Sequence, residues 1–419
     1  MRALVVFTAL LMGAVGHKLF LGDQVLRIRA SDERQLAKFR ELEDLENLQI
    51  DFWREPAKPS LPVDIRVPFR SLQAVKIFLE SNNIAYTIMI EDVQALVDQE
   101  QEEMKTAQTY EQSTKNFDFG SYHTLNEIYA WMDLLVATHP SLITKSLLGH
   151  SFEGRPLYVL RFSRDGSAKR PAIWLDMGIH SREWITHATG VWTANKIAED
   201  NTKDQSLNTI LDKLDIFVLL VTNPDGYVYT HTTNRMWRKT RSVRSGTTCV
   251  GADPNRNWNA GWGGTGASSN PCSETYHGVA PQSEPEIKAI ADFITNHGNV
   301  KAMLTIHSYS QMLLFPYGYK SDHCVDHSEL NNLAKVAADS LAELHGTKYT
   351  YGTTLDTIYR ADGTTTDWAY DVGIKYSYTF ELRDTGKYGF LLPANQILPT
   401  AHETWRALMK MMEHTRDNS

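Results

Sequence analysis

From about Phe117 to the C-terminus, strand-like and helix-like segments alternate, and this narrows the fold of the 419-residue chain more than any other feature. Leu157–Phe162, Ala172–Leu175, Asp215–Val221, Ala302–Ile306 and Ser377–Phe380 read as short apolar strands. Helices are expected after Ser181, Ser283 and His327, and a last one around Thr404–Met412. Leu125–Leu135 is amphipathic behind the N-cap Thr124, with Glu127 in its first turn. Such alternation implies a mixed sheet covered by helices on both faces, with ligands collecting at the strand ends.

One strand end carries chemistry. The apolar run Ala172–Ile179 leads into His180-Ser-Arg-Glu183. A His and a Glu three positions apart, where a strand gives way to a helix, can turn an imidazole nitrogen and a carboxylate oxygen toward one point. That makes two ligands of a zinc site. His307, just past Ala302–Ile306, is the candidate third ligand, leaving a fourth position for water. An isolated His-x-x-Glu most often marks a surface pair, so its weight comes from its neighbours.

Those neighbours are Arg235-Met-Trp-Arg-Lys239, Asp253-Pro-Asn-Arg-Asn257, His307-Ser-Tyr-Ser-Gln311, Thr357-Ile-Tyr359 and Phe380-Glu-Leu-Arg-Asp384, in that order. Together with His180–Glu183 they resemble the zinc carboxypeptidase family, near its pancreatic A-type procarboxypeptidases, over nearly the whole chain. The resemblance implies a mixed, mostly parallel eight-stranded sheet with helices on both faces, preceded by a small antiparallel α/β pro-domain. It implies one zinc per chain on His180, Glu183 and His307. Glu381 matches the base that takes the proton of the attacking water, and Arg238 the cation that stabilises the oxyanion. Read alone, Glu381 would be a surface carboxylate, and Arg235, Arg238, Lys239 and Arg241 a solvated basic face. Asn255, Arg256 and Tyr359 match the clamp on the substrate's free carboxylate, for which a planar guanidinium is suited. Asp253-Pro-Asn-Arg is also a turn signal, and the two readings are compatible. Asp253 matches the acidic partner that fixes the tautomer of His180. Arg182, Ser308, Tyr309 and Phe390 match residues lining the earlier substrate positions.

The pocket for the terminal side chain is matched by Leu314, Gly318, Thr354, Ala361, Thr364, Thr366 and Thr379. A-type enzymes usually place Ile at the positions of Thr354 and Thr366, and the B-type, which prefer Lys and Arg, place Asp at that of Thr366. Without a carboxylate on the floor a terminal cation would be buried unpaired, so a large apolar residue, aromatic or aliphatic, is expected. Asp362 stands where relatives commonly have Ser and could reach into the site, which keeps B-type or mixed specificity as an alternative. A non-catalytic, peptide-binding member of the same fold is a second alternative, opposed by the presence of His180, Glu183, His307 and Glu381. An intracellular deglutamylating relative is opposed by the start of the chain.

That start reads as an export signal over residues 1–16: Arg2, the apolar run Ala3–Met12, then the small residues Ala14 and Gly16. A secreted, extracellular protein is expected, so Cys249 and Cys272 are read as a disulfide worth about 3 kcal/mol, with Cys324 left as a free thiol. Residues 17–110, with an acidic excess, look like a separate α/β unit. Asp23–Arg29 and Val63–Val67 alternate as strands, and Ser71 caps a helix over Leu72–Leu79. The resemblance makes this unit an inhibitory activation segment ahead of a catalytic domain over 111–419. The polar stretch Asp98–Lys115 reads as a solvated connector. Relatives carry an Arg there for a trypsin-like activating protease, but residues 106–114 contain no basic residue, so slow activation or another protease is expected. The net charge of −8 and the lack of a basic stripe argue against nucleic acid as a partner. No later segment is apolar for long enough to span a bilayer. A monomer acting on peptide or protein C-termini is expected.

Overall fold

The computed structural model describes residues 16–419 apart from Asp44, Ser60, Lys115, Ala168 and Ser419. The export-signal reading therefore falls, up to residue 15, outside the described residues. The N-terminal unit runs β1 (Gln24–Arg29), α1 (Glu33–Glu43), β2 (Asp51–Arg54), β3 (Pro62–Val67), α2 (Leu72–Ser81), β4 (Tyr86–Ile90). Its strands pair antiparallel in the order β2-β3-β1-β4. Leu26 and Ile28 of β1 and Val63, Ile65 and Val67 of β3 meet Leu36, Phe39, Val75 and Leu79 of the helices, giving the unit a core of its own. Ser71 stands at the N-cap of α2 as expected, but its hydroxyl donates to the Leu48 carbonyl at 2.8 Å instead of accepting from the helix.

The stretch read as a connector is helical. Helix α3 (Val93–Thr114) carries it, because Val93, Val97, Glu100, Met104 and Ala107 recur at helical spacing and are all buried. The Glu, Gln and Thr residues that suggested a loop occupy mainly its solvent side. Met104 joins the core of the C-terminal unit, so the helix ties the two units together.

The C-terminal unit continues with α4 (Leu125–Thr138), β5 (Ile143–His150), β6 (Pro156–Phe162), β7 (Ala172–Met177), α5 (Trp184–Asp200), α6 (Gln205–Lys213), β8 (Asp215–Leu219), α7 (Pro224–Thr232), α8 (Pro285–His297), β9 (Val300–Ser308) and β10 (Met312–Phe315). It ends with α9 (His327–His345), β11 (Thr350–Thr353), α10 (Thr354–Thr357), α11 (Thr365–Asp371), β12 (Tyr376–Leu382) and α12 (Ile397–Asn418). Helix α4 begins at the expected Thr124, in a reciprocal cap with Glu127. Eight strands form one mixed sheet in the order β11-β10-β12-β9-β7-β8-β6-β5. The central pairs β12–β9, β9–β7 and β7–β8 are parallel.

The period of two along each strand sorts side chains between two cores. Ile173, Leu175 and Met177 of β7, Leu304 and Ile306 of β9, and Tyr376, Tyr378 and Phe380 of β12 pack on the side of α4, α5, α9 and α12. Trp174 and Met303 pack on the side of α8 and α11. The parallel neighbours β7, β9 and β12 end at the same edge of the sheet, and the chemistry stands there. Cys249 and Cys272 form the expected disulfide, and Cys324 is free and buried.

Candidate active site

His180 follows β7 after a turn at Gly178, whose φ of 69° is a left-handed conformation that glycine tolerates. A Cβ there would lie 2.0 Å from the His187 ring, so the close approach of α5 to the strand end also requires glycine. Glu183 stands at the N-cap of α5 without capping it. Its carboxylate is used elsewhere: Oε1 is 2.8 Å from His180 Nδ1, and Oε2 accepts from the Ser308 amide at 3.1 Å and lies 3.4 Å from His307 Nδ1. His307 is the penultimate residue of β9, in register with Glu381 on β12.

The ligand atoms of His180, Glu183 and His307 all lie within 4.8 Å of one another, and all three residues are buried. The two imidazole Nδ1 atoms face each other at 3.2 Å. Two such nitrogens beside one carboxylate, out of water, suit a cation between them, and a His₂Glu set with an open side is a zinc donor set. His180 Nε2 lies 2.9 Å from Asp253 Oδ1. With the proton held on that side, the Nδ1 lone pair is free for the metal.

Asp253, fully buried, also accepts from Arg238 at 2.8 Å. Burial would raise its carboxyl, but Arg238 and then His180 override this and hold it well below the usual range. Burial and the nearby Arg238 push His180 down, toward the neutral form that can ligate. For Glu183 burial again opposes, and the two histidines win and hold the carboxyl low. Glu381 differs: burial pushes it up to about 8, with Glu183 adding to the rise and His307 opposing it. Such a carboxyl can exchange a proton near neutral pH.

The cleft beside these residues is also lined by Asn255, Arg256 and Tyr359. Asp253 accepts from the Asn255 amide at 2.8 Å and so starts the short turn Pro254–Arg256. Asn255 Oδ1 accepts from the Thr365 amide and hydroxyl at 2.8 and 3.0 Å. Arg256 donates to the Asn255 carbonyl at 2.8 Å and to the Tyr359 hydroxyl at 3.2 Å, while its buried Nε has no partner among the described residues. The turn thus brings Asn255 and Arg256 to the cleft, where Tyr359 meets them from a separate segment. The basic cluster is no solvated face, since Arg235 and Lys239 are buried.

The remaining expected residues meet the N-terminal unit. Arg182 donates to Asp51 at 2.9 Å and stacks on the Phe390 ring at 4.2 Å. The Tyr309 hydroxyl donates to Asp64 at 2.8 Å. Trp53 packs against Phe390 and Tyr309, with ring centres 5.0 and 6.4 Å away. Ser308 lines the same cleft, and among the described residues its hydroxyl has no partner. Arg235 holds the buried Glu100 of α3 at 2.5 Å. Asp51, Trp53, Asp64 and Glu100 were not anticipated from the sequence. Glu100 alone left a signal, a carboxylate inside an apolar helical stripe.

Leu314, Thr354, Ala361, Thr364, Thr366 and Thr379 line the cleft as expected. Gly318 lies against them, since a Cβ there would meet the Thr354 methyl at 3.1 Å. Asp362 does not reach in. It is buried, accepts from the Gly266 amide, and pairs with Arg360 at 3.2 Å.

A family model described as zinc carboxypeptidase matches residues 128–407, and one described as carboxypeptidase activation peptide matches residues 26–100. The chain is 60% identical to carboxypeptidase A1 of Sus scrofa over 415 residues, 99% of each chain. It is 59% identical to carboxypeptidase A1 of Bos taurus over 418 residues, 100% of each. Among solved structures, that of thrombin activatable fibrinolysis inhibitor superposes with a TM-score of 0.87 at 37% identity, covering 96% of this chain and 100% of that one.

Proposed function

The chain belongs to the zinc carboxypeptidase family, and from that premise we propose how its own residues bind and cut a peptide C-terminus. The protein is a zinc metallocarboxypeptidase made with an activation peptide, and so a zymogen activated by proteolysis. We assign His180, Glu183 and His307 as the ligands of one zinc. When bound there, zinc supplies a Lewis acid and lowers the pKa of a bound water to about 7. Asp253 keeps the proton of His180 on Nε2. Glu381 takes the proton of the attacking water and returns it to the leaving nitrogen. Arg238, held by Asp253 beside the cleft, stabilises the charge that develops on the carbonyl oxygen. Asn255, Arg256 and Tyr359 grip the terminal carboxylate, Thr366 lies along the terminal side chain, and Arg182, Ser308, Tyr309 and Phe390 line the positions before it.

The observation that carries this reading is the clamp. The Arg256 guanidinium, with Asn255 and Tyr359, lines the same cleft as the His₂Glu set and Glu381. An endopeptidase has no use for it. A peptide with a free C-terminus should be cut and its C-terminal amide should not. A chelator should abolish the activity and zinc restore it. Equal cleavage of acid and amide would refute the exopeptidase assignment.

A large apolar terminal residue, aromatic or aliphatic, is the preferred substrate, because the residues matched to its pocket that line the cleft, Leu314, Thr354, Ala361, Thr364, Thr366 and Thr379, are uncharged and Asp362 is engaged by Arg360. We read residues 1–16 as an export signal, 17–110 as the inhibitory segment and 111–419 as the catalytic domain of a secreted monomer. Among the described residues no helix is long and apolar enough to cross a membrane. Activation by a trypsin-like protease is slow, or another protease makes the cut. Lys105, the one basic residue of α3, is exposed but lies between buried Met104 and Ala107, so cutting there needs the helix to open.

A further inference from the structure

Four threonines line the cleft beside the clamp: Thr354, Thr364, Thr366 and Thr379. Their hydroxyls are used differently. Thr354 Oγ1 lies 3.5 Å from the Phe315 carbonyl, and Thr364 Oγ1 caps α11 by accepting from the Asp367 amide at 3.4 Å. Among the described residues the Thr366 and Thr379 hydroxyls hydrogen-bond only to each other. Both are more than nine-tenths buried, at 3% and 8% exposure. Two hydroxyls carry two protons, and one bond between them uses one. The second proton and the spare lone pairs have no partner among the described residues other than what enters the cleft.

The pair is also placed at a telling depth. Thr379 and Glu381 are two apart on β12, so they share a face and stand about 7 Å apart along the strand. Thr366 follows Thr365, whose amide and hydroxyl hold the clamp residue Asn255. A terminal residue with its carboxylate at the clamp and its amide carbonyl at Glu381 therefore directs its side chain toward the hydroxyl pair.

We propose that the Thr366–Thr379 pair makes this enzyme accept large neutral terminal side chains whose tips form hydrogen bonds, amide or hydroxyl, nearly as well as apolar ones of the same shape. This rests on reading the cleft as the terminal-residue pocket of a carboxypeptidase, and it refines the apolar preference. A purely apolar floor leaves a buried amide unpaired and rejects it. Here the hydroxyl pair supplies both a donor and an acceptor.

The test uses activated, zinc-loaded enzyme and matched peptides ending in Gln, Met, Phe, Tyr and Arg. In the native enzyme, kcat/KM for the Gln peptide should lie within a few-fold of that for Met, its near-isostere, and Tyr close to Phe. Thr366→Val and Thr379→Val should each lower the Gln-to-Met ratio about tenfold, the worth of one neutral hydrogen bond, and Thr366→Ser should keep it. Because the ratio is taken within each variant, partial loss of folded enzyme cancels. A native Gln peptide poorer than Met by about a hundredfold, or a ratio unmoved by the valines, overturns the proposal. Failure of the underlying reading looks different: the Phe peptide would then go uncut, or Arg would be preferred, in the native enzyme.

Discussion

Asp51→Asn in the N-terminal unit should loosen the grip of that unit on the cleft. Asp51 is buried between Arg182 at 2.9 Å and Arg66 at 3.4 Å. Burial alone would raise its carboxyl, but Arg182 and then Arg66 override this and hold it at about 2, from an ordinary 3.8. Arg66 belongs to the same unit and stays beside Asp51 on undocking, so only the share due to Arg182 acts on docking, on the order of 1 kcal/mol at 1.36 kcal/mol per pH unit. Removing the charge also strips a buried arginine of its anion, which by itself can cost about 3–5 kcal/mol. Even the smaller figure multiplies the undocked fraction of the uncut protein by about five. Hydrolysis of a small blocked dipeptide by the uncut zymogen should rise accordingly. The control is internal, since native and variant chains yield the same mature enzyme once the segment is removed. The pH dependence has a definite sign. A depressed carboxyl contributes fully above 3.8 and loses its contribution as pH falls toward 2, so hydrogen exchange at β2 should accelerate across that window in the native zymogen and not in the variant. Equal uncut activity of the two zymogens, with equal exchange at low pH, would refute the argument.

Glu381→Gln should keep stoichiometric zinc and product binding while losing about 10²–10⁴ in kcat, the share of a positioned base. Near-normal turnover would move the base elsewhere. Trypsin treatment followed by N-terminal sequencing should find slow cleavage after Lys105 or Lys115, and a fast single cut within residues 106–114 would contradict it. An Arg-terminated peptide should be cut far less well than a Phe-terminated one, and parity would mean that a carboxylate reaches the pocket after all.

The metal site was legible because its residues fall at the ends of long apolar strands, where period and position give the same answer. Short elements were not. Strand β2 is four residues long and strands β10 and β11 no longer, too few for alternation to rise above chance. Of these, β2 carries what the sequence left out, Asp51 and Trp53, while Leu314 on β10 was placed in the pocket by the resemblance and not by any strand pattern. Helix α3 was misread for a different reason. Its apolar stripe is regular, but Glu100 interrupts it and the remaining faces are Glu, Gln and Thr, so composition outweighed period. Glu100 is tolerated there because Arg235, distant in sequence, meets it. Asp362 shows the limit of position matching. Its place in the sequence is beside the pocket, but the Gly266 amide and Arg360 decide which way it points.

The two apolar clusters of the N-terminal unit have different owners. Leu26, Ile28, Phe39, Val63 and Val75 belong to the unit alone, whereas Phe20, Val25, Trp53 and Ile90 share a cluster with Met236, Tyr309, Phe390 and Leu391 of the catalytic part. Cutting the chain leaves the first cluster whole. The severed segment therefore keeps its shape and its complementary surface, and the cut changes only the molecularity of the contact, from a tethered partner to a dissolved one. Occupancy of the cleft then follows mass action. A concentrated digest should stay partly silent after every chain is nicked, and simple dilution should wake it.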